Sequence, residues 1–89
     1  MRVLTVYSKP DCHLCEEALQ VLSRVRAELP FELVERDITT DEGWHRAYFE
    51  RIPVVALDGE ELFEYFVDEE VLKGRLREEA EHGDRPGIL

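Results

Sequence analysis

The sequence lacks the features that would place it in a membrane or on a nucleic acid. Its 89 residues contain no apolar run near the ~18 needed to span a bilayer. Positive charge is scarce, with 11 Lys and Arg against 21 Asp and Glu, for a formal charge of −10. So acidic a chain repels phosphate backbones and anionic headgroups, which argues against nucleic acid and membrane partners. Cysteine is scarcer still: Cys12 and Cys15 are the only two, too few for a disulfide framework or a four-thiolate zinc site. There is no internal repeat, low-complexity tract or linker. The apolar stretch 3–7 is too short for a signal-peptide core, and no small-residue cleavage site follows it. A cytoplasmic location is therefore expected.

What is present describes one small globular domain. Hydrophobic residues make up 44% and charged residues 36%, a balance that supports a packed core without staples. Residues 3–7 are β-branched and aromatic and read as a buried strand. From Cys12, the apolar residues Leu14, Ala18, Val21, Leu22, Val25 and Leu29 recur at three- and four-residue steps, predicting a helix that Pro30 ends. A second strand is expected over 31–36. Thr39 with Glu42 has capping-box spacing, so a short helix is expected to follow to about residue 50, with Trp44, Ala47 and Tyr48 inward.

Residues 53–57 read as a third strand, and Asp58-Gly59 as a two-residue hairpin turn into a fourth strand over 60–66. Asp68 is placed to cap a last helix over 69–80, with Val71, Leu72 and Leu76 inward. The domain is thus expected over 1–80, with a polar tail over 81–89. The order β-α-β-α-β-β-α implies an α/β fold, a mixed four-stranded sheet with helices on both faces.

The chemistry centres on Cys12-His13-Leu14-Cys15 at the start of the first helix. A helix N-terminus carries unpaired N–H groups and a partial positive charge, which together favour a thiolate. The spacing brings both sulfurs to one side of the first turn, with the first exposed and the second tucked in, as a nucleophile and a resolving thiol require. Lys9 adds a cation nearby, while the carboxylate of Asp11 opposes a second negative charge. The pair is either redox-active or metal-binding. Zinc would need two further ligands from His13, His45 and His82, which fall on three different elements, so no metal is expected. Read structurally, His13 is a solvent-facing spacer, and His45 and His82 are surface residues. The acidic doublets Glu16-Glu17, Glu60-Glu61 and Glu78-Glu79 read as solvated faces. Ile52-Pro53 opens a buried strand, where proline costs a ladder hydrogen bond. The residues alone leave its isomer open.

The element order, Lys9-Pro10-Asp11-Cys12-His13-Leu14-Cys15 after the first strand and Arg51-Ile52-Pro53-Val54-Val55 opening the third resemble the thioredoxin fold. More narrowly, they resemble its small bacterial glutaredoxin-like branch. The resemblance implies a thiol–disulfide oxidoreductase with Cys12 attacking and Cys15 resolving. It also implies a cis Ile52–Pro53 bond beside the sulfurs, an Ile52 backbone that pairs with a bound thiol peptide, and Lys9 facing the thiolate and a glutathione carboxylate. Partners would be a disulfide-containing protein or small thiol, and a reductant: glutathione or a thioredoxin-reductase type protein. No resident cofactor is implied. Where the family carries Cys-Pro-Tyr-Cys and Thr-Val-Pro, this chain has His13-Leu14 between its cysteines and Arg51-Ile52-Pro53. Its Phe63-Glu64 stands where the family's Gly-Gly pair opens the backbone to glutathione, so glutathione is expected to be a poor ligand. The alternative is a non-catalytic thioredoxin-fold module that docks a protein or holds a metal.

Overall fold

A computed structural model describes residues 2–84, and the side chains of 2–77. It runs β1 (Val3–Ser8), α1 (His13–Glu28), β2 (Glu32–Asp37), a 3-10 turn (Ile38–Thr40), α2 (Glu42–Tyr48), β3 (Val54–Leu57), β4 (Glu60–Glu64) and α3 (Glu69–Asp84). The sheet order is β2-β1-β3-β4, with β1 parallel to β2 and both β1–β3 and β3–β4 antiparallel. This is the expected mixed four-stranded sheet. Alternation along β1 divides its faces: Leu4 and Val6 join Leu22, Val25, Val55 and Leu72 in the main core, while Tyr7 packs with Trp44 and Tyr48 of α2. Helices α1 and α3 therefore cover one face and α2 the other.

Several local expectations are corrected. Asp41, not Thr39, caps α2: its carboxylate accepts the Trp44 N–H at 3.0 Å. Thr39 instead belongs to the 3-10 turn, donating its N–H and hydroxyl to Asp37. Ala47 is exposed, because seven residues of helix present only Trp44 and Tyr48, one turn apart, to the sheet. The fourth strand stops at Glu64, since Tyr65 turns the chain at φ 69° and leaves Phe66 at the surface. Asp68 does accept the Val71 N–H at 3.1 Å at the start of α3. Val71 is nevertheless 51% exposed, because Leu72 and Leu76 are the pair spaced to meet the core. The last helix runs to Asp84, past the expected end at residue 80, so 81–84 are helical and not a turn-rich tail. The remaining tail residues lie outside the described region.

At the β3–β4 turn Asp58 and Gly59 both have positive φ, 49° and 92°, as a tight two-residue hairpin demands. Asp58 also reaches back to the N-terminal edge, where its carboxylate accepts the Val3 N–H at 2.9 Å and pairs with Arg2. The Val3 N–H, together with Arg2, holds the Asp58 carboxyl below the usual carboxylate range. Its contribution to stability is therefore complete above the unfolded-state value of 3.8 and lost as pH falls through the folded-state value. Asp58→Ala is expected to cost about 1 kcal/mol at neutral pH and to shrink towards no effect in acid. Urea midpoints of both proteins measured from neutral to acid pH check this; a difference that grows on acidification would contradict it.

Candidate redox site

After β1 the chain turns through Lys9-Pro10-Asp11, with Asp11 at φ 60°, a region Asp tolerates better than most residues. The turn sets Cys12 as the N-cap of α1, with extended backbone (φ −108°, ψ 107°). Its Sγ accepts the Cys15 N–H at 3.2 Å. The two cysteines are joined as a disulfide, their Cα atoms 5.2 Å apart. They differ in access: Cys12 is half-buried and Cys15 only 2% exposed. A reagent reaches Cys12 first. When the disulfide opens, the donor already aimed at Cys12 Sγ and the orphan N–H groups of the first helical turn stabilise a thiolate there.

Behind the sulfurs, Cys15 packs with Ile38 and Ile52, flanked by Tyr7, Trp44 and Tyr48. The Ile52–Pro53 peptide bond is cis, as the resemblance implies. Hydrogen bonds tie the chain on both sides of Ile52: Arg51 N–H donates to the Tyr48 carbonyl at 2.7 Å, and the Pro53 carbonyl accepts from Tyr65 N–H at 2.9 Å. Ile52 is thus brought against Cys15 from a distant part of the chain, and it is 8% exposed.

A second layer holds this wall. Tyr7 stacks on Tyr48 with ring centres 4.3 Å apart, and Trp44 meets Tyr7 edge-on at 6.1 Å. Arg51 lies over the Tyr48 ring, 5.3 Å from its centre, and its guanidinium pairs with both Glu61 and Glu64 of β4. The Tyr48 hydroxyl donates to Glu61 at 3.1 Å. Burial, reinforced by that bond to Glu61, pushes the Tyr48 phenol up to about 12, while Arg51 holds the Glu61 carboxyl below its usual range. Sequence reasoning places Tyr48 inward and Glu61 on a solvated face but does not join them and Glu64 through Arg51, because no local pattern pairs a helix end with the strand after a hairpin.

On the other side of the disulfide a cleft of about 350 Å³ opens, with both cysteines and Lys9 in its wall. Lys9 is exposed there. His13 points to solvent, its side chain 82% exposed and 3.0 Å from Glu17. His45 stacks on Phe49, and His82 lies beyond the described side chains. Among the described residues no three His, Cys, Asp or Glu side chains converge as a metal site. Phe63 packs against the main core together with its neighbour Leu62, at a break in the β3–β4 register opposite Val55 and Ala56, and Glu64 pairs with Arg51.

Residues 3–77 match the model of the family described as Glutaredoxin-like domain (DUF836). The chain belongs to this glutaredoxin-like family. Solved relatives agree with it. Protein Ne2328 from Nitrosomonas europaea is 36% identical, with a TM-score of 0.74 over 83% of this chain and 89% of that one. Protein XcR50 from X. campestris is 32% identical, with a TM-score of 0.71 over 84% of this chain and 96% of that one. A thioredoxin variant from Halobacterium salinarum, 23% identical, matches with a TM-score of 0.64 over 86% of this chain and 73% of that one, which shows the shared fold alone. The glutaredoxin-like domain here is a thioredoxin-type α/β fold carrying a redox-type Cys12–Cys15 pair. Among the described residues no helix is long and apolar enough to cross a membrane.

Proposed function

We infer that this glutaredoxin-like protein is a thiol–disulfide oxidoreductase. The observation that carries the reading is the asymmetry of the pair: Cys12 at the helix N-cap with a backbone N–H aimed at its sulfur, and Cys15 buried one turn inside. In the reduced protein, the Cys12 thiolate attacks a substrate disulfide, forms a mixed disulfide and expels one substrate thiolate. Cys15, deprotonated in turn, attacks the Cys12 sulfur and releases the second. The protein dithiol is oxidised by two electrons, the substrate disulfide is reduced, and the protons of the dithiol end on the product thiols.

The Ile52 backbone, just before the cis proline, offers an edge for strand pairing with the substrate chain, while the Ile52 and Pro53 side chains lie buried behind it. Lys9 supports the thiolate from the cleft. Recycling falls to a thiol reductant of a reducing compartment such as the cytoplasm, either glutathione or a reductase protein. Glutathione is the weaker candidate. Arg51, the arginine adjoining Ile52–Pro53, is already engaged by Glu61 and Glu64, which leaves a glutathione carboxylate no salt-bridge partner there.

The reduction potential tests the reading. Equilibration in dithiothreitol or glutathione redox buffers, followed by thiol trapping and mass spectrometry, is expected to place it roughly between −120 and −270 mV, the range of exchange proteins. A value below about −300 mV, typical of a structural disulfide, would favour the non-catalytic docking module.

A further inference from the structure

Among the described residues, six glutamates pair with an arginine or lysine. Glu28 pairs with Lys73, Glu42 with Arg46, Glu60 with Arg75, Glu69 with Arg24, and both Glu61 and Glu64 with Arg51. The carboxylates of the cleft beside the disulfide are not among them. Asp11, Glu16, Glu35 and Asp37 share its wall with Cys12 and Cys15, and Lys9 is their one cation among the described residues.

The topology explains why these carboxylates meet. Parallel pairing of β1 with β2 sets Asp37 opposite Ser8, so the end of β2 lies beside the turn that leads to Cys12. Glu35, two residues earlier, projects from the same face of the strand. Glu16 sits on the first turn of α1 and Asp11 on the turn before it. Bonds from the Thr39 hydroxyl and N–H hold the Asp37 carboxyl below its usual range, so it stays ionised. On the proline side of the sulfurs, Arg51 is occupied by two glutamates. A substrate approaching Cys12 along the cleft therefore meets a negative field with little cation to offset it.

We propose that the redox pair selects disulfides flanked by positive charge and discriminates against anionic ones. This rests on the oxidoreductase reading above and adds its substrate class: protein disulfides with neighbouring Lys or Arg, for which a small cationic disulfide is a fair probe. A charged cleft changes encounter rates by tenfold or more at low salt, and screening removes the effect once the Debye length falls to a few ångströms. The exchange chemistry is unchanged. Cys12 still expels one thiolate and Cys15 the second.

The test uses the full chain, reduced and freed of reductant. Single-turnover rates are measured with cystamine (a dication), hydroxyethyl disulfide (neutral) and dithiodipropionate (a dianion). Each rate is divided by that of dithiothreitol with the same disulfide, which removes differences in leaving-group reactivity. The normalised cystamine rate is expected to exceed that of the dianion by about tenfold or more at low ionic strength, with the neutral probe between them. The preference is expected to collapse towards unity in about 0.5 M salt, where the Debye length is a few ångströms, and in the Asp11→Asn/Glu16→Gln/Glu35→Gln variant. Normalised rates within twofold of each other in the unmodified protein would overturn the proposal while leaving the oxidoreductase reading intact. So would a preference that survives both high salt and the triple variant. No exchange with any of the three probes would overturn both.

Discussion

Cys12→Ser is expected to abolish disulfide exchange, while Cys15→Ser is expected to stop the protein at a mixed disulfide on Cys12. The contrast follows from position on the helix. Cys12 is half-exposed at the N-cap and receives the Cys15 N–H; Cys15 is 2% exposed and touches Ile38 and Ile52. A serine hydroxyl is no nucleophile towards sulfur at neutral pH, so the first variant should lose at least about a thousandfold in exchange rate. In the second variant the first attack proceeds but nothing displaces the substrate half. Mixing each variant with hydroxyethyl disulfide and following mass is the direct measurement. A stable adduct on Cys15→Ser and none on Cys12→Ser is the expected pattern. If both variants turn over the disulfide at the unmodified rate, the pair is not catalytic.

The largest expected effect on stability lies far from the sulfurs. Phe31, 1% exposed, is the largest fully buried side chain and belongs to the core cluster with Leu4, Leu22 and Val25. Its backbone carbonyl also accepts the Arg26 Nε at 3.0 Å, tying the end of α1 to the entry of β2. Removing the ring deletes its contacts and leaves a cavity bounded by α1 and the central strand β1, whose backbone cannot close over it. Phe31→Ala should therefore cost about 3–5 kcal/mol. A domain of this size has about 5–10 kcal/mol in total, so roughly half its stability would go. Urea denaturation with an unchanged slope gives the difference. A loss under about 1 kcal/mol would show that the site relaxes around the smaller side chain and that this ring is not central to the core.

Much of this protein was legible in the residues because local physics writes itself along the chain. Ala18, Leu22 and Val25 recur at helical spacing because one stripe of α1 must leave water, and all three are buried. Asp58-Gly59 announced its hairpin because few residues accept positive φ twice in succession. Cys12 and Cys15 announced a close sulfur pair because a three-residue step at a helix start brings two sulfurs together. The resemblance of the flanking residues led to the fold and family that the comparisons support.

The tertiary structure alone decided what faces that pair. Asp41 took the cap expected of Thr39 because Asp37 captured the Thr39 N–H and hydroxyl first, a competition that spacing does not record. Arg51 found Glu61 and Glu64 only because the hairpin folds β4 back along β3. Glu35 and Asp37 joined the cleft beside Cys12 only because β2 pairs with β1 in one particular register. Periodicity records which side of an element is buried; it carries no information about which residue of a neighbouring element lies opposite. The sequence by itself thus determined most of the elements and the close sulfur pair, while strand register and side-chain competition determined the charge and shape of the surface that the pair meets.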